Sequence, residues 1–484
     1  MTAGLPESIL ADPSKSPSRL KWVFYILAGL GILMGSIDQT IVAVAIPALT
    51  TSLDTSLNWV SWTITGYQLV QIVAMPLAGR MSDAFGRKRV FMFCIGAFTL
   101  GSLLCGLAPN IGFLIFFRAV QAIGAGGLMP SAVGIVSDQF SKDKRSQMIG
   151  LFTSIFPLGG IIGPNVGGWI LQNWSWREIF FINLPIGVVI LIGTQLLLHE
   201  RRKKGQAQRL DAAGLALFTG GMVTIMYLMT SIGDDPGVLR SPSLWVLAVA
   251  GVLLFVFFVR QEGRAEQPIL DVNLVVKQPF LAANLYNFLY GACVFGFFSF
   301  IPYYAVVQYQ MSAVQSGVIL TPRSIAGMAS SFIASVFLIR SGYRLPMLLG
   351  TGLGSLSLVL LSFGWGQVTI GPLEVDGFWL TAAIIAISGL GTGMAAPASN
   401  NATIDLLPEK AAAITGLRGM FRITGGIMGV SSVVLALSFF GDKAAGMRII
   451  FLAVALIMLV TVPLVFMIPD TARDRSRLRK VEGR

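Results

Sequence analysis

Residues 79–89 read Gly79-Arg-Met-Ser-Asp83-Ala-Phe-Gly86-Arg87-Lys88-Arg89, a charged segment set between two apolar runs, 58–80 and 88–108. Each run is about 20 residues long, the length a helix needs to cross a hydrocarbon core roughly 30 Å thick. The segment therefore reads as a short polar turn between two membrane spans. Working outward, comparable runs recur at 22–47, 111–137, 146–172 and 178–198, then at 211–233 and 242–262. A last set follows at 280–309, 313–339, 344–366, 377–404, 411–440 and 447–468. The pattern is six, two and six, and predicts an all-α integral membrane protein of fourteen spans. Two six-helix bundles, 22–198 and 280–468, would be joined by a linker, 199–279, that carries two extra transmembrane helices. The flanks 1–21 and 469–484 read as cytoplasmic tails, the second basic.

Composition excludes the alternatives. Of 484 residues 54% are hydrophobic and 12% charged, with a mean hydropathy of +0.75, which no water-facing surface accommodates. Most of the 35 Lys and Arg fall in loops on the amino-terminal side, while the opposite loops hold only Arg177, Arg240, Lys443 and Arg448. By the positive-inside rule both termini are cytoplasmic, in a cell (inner or plasma) membrane. Trp59, Trp62, Trp174, Trp176, Trp245, Trp365 and Trp379 near outward ends, with Trp22 near an inward one, form the matching interfacial belt. The net charge of +12 thus reflects topology and anionic headgroups, with no nucleic-acid partner expected. The three cysteines lie inside spans, so no disulfide framework is expected. The chain has no phosphate-binding loop, nucleophile elbow or metal-ligand cluster, so neither enzyme, metal nor cofactor is expected.

Among 23 Asp and Glu, only Asp38 sits well inside a span. A charge there costs several kcal/mol, which makes an intramembrane carboxylate a functional candidate or half of a structural ion pair. Arg118 in the fourth span lies at a similar depth, about 10 Å against about 12 Å from the outer boundary at 1.5 Å per residue. The two can face each other, and relative movement of their helices would load and unload a proton. The single histidine, His199, falls in a loop and cannot replace Asp38. Arg323, Arg418 and Arg422 are further intramembrane bases with no acid in their own half. Tyr67, Gln71, Gln121, Asn284, Asn287, Tyr290, Asn400 and Asn401 are candidates, with these arginines, for a substrate cavity, or equally for hydrogen bonding between helices.

The opening segment resembles the loop motif of the major facilitator superfamily between spans two and three. That resemblance implies that Gly79, Asp83, Gly86, Arg87 and Lys88 latch one conformation. Arg118-Ala-Val-Gln121-Ala-Ile-Gly124, Gly163-Pro164-Asn-Val-Gly167-Gly168 and Asp38-Gln-Thr40-Ile-Val-Ala-Val-Ala-Ile-Pro47 together resemble the drug:proton antiporters. Trp176-Arg177-Glu178-Ile-Phe-Phe-Ile-Asn183 and Phe421-Arg422-Ile-Thr-Gly425-Gly426 are similar to the fourteen-span EmrB/QacA type. The resemblance spans about residues 20–470. It implies proton-driven, alternating-access export of amphipathic small molecules by a monomer embedded in lipid; a lipid or glycolipid exporter of the same fold shares every motif. At Arg323 and Arg418 the family leads one to expect small or apolar residues, and the arginines raise the prospect of anionic, zwitterionic or lipid-like cargo.

Overall fold

A computed structural model describes residues 18–139, 142–197, 211–265, 275–370, 373–407 and 411–470. The amino-terminal half is built from α1 (Ser18–Ser52), α2 (Leu57–Phe85), α3 (Arg87–Gly106), α4 (Ile111–Gln139), α5 (Lys142–Asn173), a single turn α6 (Glu178–Phe181) and α7 (Asn183–Leu197). Two helices, α8 (Ala212–Asp234) and α9 (Pro242–Glu262), follow. The carboxy-terminal half comprises α10 (Phe280–Phe298), α11 (Ile301–Tyr309), α12 (Ala313–Val318), α13 (Thr321–Ser341), α14 (Arg344–Ser362), α15 (Gly377–Ile404), α16 (Ala411–Ser438), α17 (Lys443–Leu459) and α18 (Thr461–Met467).

Proline explains where the predicted spans break. Pro302 and Pro322 stand in the first turns of α11 and α13, where a missing N–H is tolerated. The runs predicted at 280–309 and 313–339 are accordingly each two stacked helices. Twelve of the described helical stretches are long and apolar enough to cross a membrane. Beside them α2 and α5, of 29 and 32 residues, run through the same bundle. One departure from all-α is an antiparallel hairpin, Gln367–Ile370 with Leu373–Asp376, in the predicted break before α15. Its last residue, Asp376, caps α15 by accepting from the Trp379 amide at 3.0 Å.

The halves repeat one packing scheme. In the first, α1 packs on α5, α4 on α2 and α3, and α3 on α7; in the second, α10 packs on α16, α15 on α13 and α14, and α14 on α17. Glycine carries much of the contact, since a Cβ at Gly291, Gly425 or Gly429 would overlap the facing backbone of α16 or α10. Let the near side be that where α1 begins and the charged 79–89 turn lies. The halves meet at the far side, where one apolar cluster joins Ile41, Ala45, Ile46 and Leu49 of α1 to Ile301, Tyr304 and Ala305 of α11. A second cluster nearer the start of α1, including Phe24, Ala28, Phe91 and Ile95, stays within the first half.

Of the two extra helices, α8 lies against the seam between the halves. Phe218, Met222 and Met226 of α8 cluster with Leu69 and Ile72 of α2 and Ile427 of α16. The far end of α8 is tied down by polar contacts: Ser56 Oγ and Asn58 Nδ2 donate to Asp234 Oδ1 at 2.7 and 2.6 Å, and Trp62 Nε1 donates to Thr230 Oγ1 at 2.8 Å. Its start is capped by Asp211, which accepts from the Gly214 amide at 2.9 Å. Helix α9 packs on α8 and turns Val246, Val249, Val252 and Val256 outward.

Candidate functional site

Five helices of the first half converge on Asp38. Its Oδ2 accepts from Arg118 Nη1 at 2.6 Å, and its Oδ1 accepts from Gln121 Nε2 at 2.8 Å and Asn183 Nδ2 at 3.0 Å. Arg118 also donates through Nε to the Thr63 carbonyl at 3.1 Å and through Nη1 to Gln121 Oε1 at 2.6 Å. Ser102 Oγ accepts from Gln121 at 2.5 Å and Asn183 at 3.0 Å, closing the network. The Tyr67 ring covers the guanidinium, 3.9 Å from its carbon, with Phe180 beyond at 5.7 Å. Asp38 is 0% exposed and Arg118 1%, so the pair is held out of both water and lipid. The two form a salt bridge inside the spans. Such a pair persists only when further hydrogen bonds satisfy both charges, which Gln121, Asn183 and the Thr63 carbonyl do here.

The expected partnership of Asp38 and Arg118 is thus realised in the geometry. Tyr67 and Gln121, considered for a substrate cavity, stand in this buried cluster instead. Sequence reasoning missed Asn183 and Ser102. The available signal for Asn183 was a polar residue inside the quoted 176–183 string, and Ser102 is one hydroxyl in an apolar run.

One residue on, α1 presents the opposite face to a cavity of about 700 Å³ between the halves. Gln39, Thr40 and Ala43 line it from α1, Ile64 and Gln68 from α2, Pro157, Gly160 and Pro164 from α5, and Phe295 and Phe298 from α10. Leu320, Arg323, Ser324, Met328, Phe332 and Ser335 form a wall that descends toward the near end of α13, and Thr392 and Arg422 complete the lining. The volume suits a drug-sized molecule. Of the sequence candidates, Arg323 and Arg422 line it directly, and Gln71 reaches it through Gln39, whose Nε2 donates to Gln71 Oε1 at 3.1 Å.

The remaining candidates lie deeper in the second half. Tyr290 donates to the Thr392 carbonyl at 3.3 Å and Asn287 to the Ala283 carbonyl at 2.7 Å, while Arg418 reaches Asn287 Oδ1 at 3.4 Å. Asn401 turns back to the Pro397 carbonyl at 3.0 Å. Among the described residues buried Asn284 meets no hydrogen-bond partner at either amide atom, and Asn400 Oδ1 meets none.

Gly86 joins α2 to α3 at φ 103°, a left-handed backbone that excludes most side chains. Lys88 donates to the Gln195 carbonyl at the end of α7 at 3.0 Å, Arg87 lies over Gly134 of α4, and Gly79 faces Pro130. The Asp83 side chain lies outside the described residues. On α5 the glycines form two stripes. Gly159, Gly163 and Gly167 abut Ser36, Thr40 and Ile41 of α1, whereas Gly168 abuts the Ala313 carbonyl, and Gly317 abuts that of Pro164. Helix α5 runs on through Pro164. The Gly160 carbonyl that Pro164 cannot serve accepts from Ser324 Oγ at 3.2 Å, across the two halves.

Comparison with known proteins agrees with this architecture. A family model for the Major Facilitator Superfamily matches residues 28–429 and 284–484. Multidrug resistance protein 3 of Bacillus subtilis is 33% identical over 395 residues, 82% of this chain and 73% of its own length. The multidrug resistance protein B homolog of Mycobacterium tuberculosis is 30% identical over 443 residues, 90% of this chain and 80% of its own. A bacterial homolog of the human lysosomal transporter Spinster, solved in an inward-facing unoccupied conformation, superposes with a TM-score of 0.64 at 15% identity. That match covers 96% of this chain and 99% of the homolog. The chain is a multi-span membrane protein that belongs to the Major Facilitator Superfamily.

Proposed function

We propose that this protein is a proton-driven antiporter that exports lipophilic or amphipathic small molecules across the cell membrane by alternating access. The observation that carries the reading is the Asp38–Arg118 pair, sealed one helix wall away from a drug-sized cavity. Relatives named for multidrug transport and resistance support the export of drugs. With α2 and α5 counted among the spans, fourteen helices cross the membrane and both termini are cytoplasmic. The closed far side is then the outer side, and the cavity stands open inward.

In this reading Asp38 takes up a proton from outside when the halves are parted there. Its neutralisation frees Arg118 from its counter-charge, and the halves rock. The proton is released inward as the Arg118 contact reforms, and its movement down the membrane potential supplies about 2.3 kcal/mol per charge per 100 mV. The Asp38→Asn protein in proteoliposomes with an imposed pH gradient tests this: gradient-driven efflux of a lipophilic dye stops, and efflux at the wild-type rate overturns the assignment.

A second reading, export of a lipid or glycolipid, is favoured by one observation. The cavity wall continues along α13 to Phe332, whose side chain is 73% exposed. A headgroup-dependent flipping assay separates it from drug efflux.

A further inference from the structure

The cavity has an electrostatic character that neither export nor proton coupling requires. Among the described residues its walls carry two guanidinium groups, Arg323 and Arg422, and no Asp or Glu. The one carboxylate inside the spans, Asp38, is occupied by Arg118, Gln121 and Asn183 on the far face of α1. Arg323 and Arg422 each have a buried Nε without an acceptor among the described residues. Both are held by rings rather than by acids. The Arg323 carbon stands 4.0 Å from the Phe298 centroid, and that of Arg422 stands 5.1 Å from Phe295 and 5.6 Å from Tyr290. Stacking of this kind orients the guanidinium plane and leaves its N–H fork unspent. Two guanidinium groups, each with an unpartnered Nε in a half-enclosed space of low dielectric, are poised for an acceptor the described residues do not supply. Around them Phe295, Phe298, Met328 and Phe332 offer an apolar surface.

We infer that the cavity recognises an anionic amphiphile: one compact carboxylate, sulfonate or phosphate group held by Arg323 and Arg422, with its apolar body along Phe298, Met328 and Phe332. This deepens the export proposal and rests on reading the cavity as the cargo site. A lipophilic cation would instead face two uncompensated like charges. The same headgroup chemistry could arrive from the membrane, as a lipid phosphate, or from water, as a free acid.

The experiment is a binding titration of the full-length protein in phosphatidylcholine nanodiscs, with dansylaminoundecanoate and its neutral primary amide as matched probes. The carboxylate binds about 10- to 100-fold more tightly than the amide, the increment expected of a bidentate charge-assisted contact. Arg323→Gln and Arg422→Gln each bring the carboxylate down toward the affinity of the amide and leave the amide unchanged, which also reports an intact cavity. Should a glutamine variant fail to fold, Arg323→Lys and Arg422→Lys carry the test: they keep a preference for the carboxylate, and its loss overturns the inference. Equal affinity of the two probes for the wild type, or a preference in both glutamine variants equal to wild type, also overturns it. Displacement of the probe by phosphatidylglycerol doped into the disc identifies a lipid headgroup as the source. Displacement only by dodecanoate added from water identifies a free amphiphile, and displacement by neither refutes an anion site. Failure here leaves proton-driven efflux intact, whereas charge-selective binding without gradient-driven flux would refute the exporter and keep the site.

Discussion

Asp38→Asn removes one formal charge and almost no volume, which makes it a clean probe of the sealed pair. The carboxylate accepts three donors, Arg118 and, on its other oxygen, Gln121 and Asn183. An amide offers one oxygen and one NH2 group, so in either orientation a donor is turned against a donor. Arg118, 1% exposed, then keeps its contacts to Thr63 and Gln121 but loses its only counter-charge. Breaking a buried pair from one side costs about 3–5 kcal/mol. That corresponds to roughly 10² to 5 × 10³ in the folding equilibrium. If the cost is that of an orphaned charge, removing the charge relieves it: Asp38→Asn/Arg118→Met regains about 2–3 kcal/mol over Asp38→Asn alone. Denaturant titration in detergent micelles, followed by tryptophan fluorescence, measures the wild type, both single variants and the double. An Asp38→Asn protein within about 0.5 kcal/mol of wild type, the scatter of additive sites, refutes the reasoning, and so does a double variant equal to the sum of the singles.

Two further outcomes follow from the packing. In Gly317→Ala the new methyl overlaps the Pro164 carbonyl and drives α5 from α12 on the far side, so cross-linking between cysteines placed at 165 and 321, whose native side chains meet at 2.6 Å, falls by about tenfold, the effect of roughly 1.4 kcal/mol. The native cysteines are buried and do not interfere; wild-type cross-linking would show that the overlap is absorbed elsewhere. Asp234→Ala strips the acceptor from Ser56 and buried Asn58, at about 1–3 kcal/mol, and hydrogen exchange over residues 212–234 rises; unchanged exchange would mean that α8 is held by its apolar face alone.

Much of the fold was legible because lipid imposes a length and a polarity on every span, and those are properties of sequence alone. The Asp38–Arg118 contact was legible for the same reason: an acid and a base at one depth have few alternatives in hydrocarbon. What could not be read is facing. Gln121 is one turn from Arg118 and so shares its face, but nothing in a string of letters places Asn183 on Asp38 Oδ1 or Ser102 against the Gln121 and Asn183 amides. Tyr67 and Gln71 were one turn apart and considered together, yet Tyr67 covers Arg118 while Gln71 meets Gln39. A four-residue offset on a 3.6-residue helix keeps a shared stripe, but a one-residue offset, as between Asp38 and Gln39, crosses from sealed core to cavity. The double stripe on α5 was hidden likewise, since Gly159 and Gly160 differ by one position and face different halves.

That double stripe bears on how such a molecule moves. The contact of α5 with α1 is interlocked: Gly159, Gly163 and Gly167 receive the side chains of Ser36, Thr40 and Ile41, and Thr40 Oγ1 donates to the Gly159 carbonyl at 2.9 Å. The contact of α5 with α12 and α13 is of another kind. Gly168 and Gly317 lie backbone against backbone, and the polar links are Ser324 to the Gly160 carbonyl and Asn165 to Thr321 at 2.6 Å. Parting the first would pull side chains from their sockets and forfeit dispersion contacts that nothing replaces. Parting the second exposes a carbonyl, an amide and two hydroxyls to a cleft that fills with water, where each finds a new partner. In the alternating-access reading the hinge of lower resistance therefore lies on the far face of α5, at the seam between halves. The Asp38 cluster travels with the first half as a unit, since Ser102, Arg118, Gln121 and Asn183 are all carried by that half. In the proposed antiport a proton on Asp38 would act by loosening that unit from within, and α1, which bears Asp38 on one face and the cavity residues Gln39 and Thr40 on another, would be the element through which cargo and proton meet.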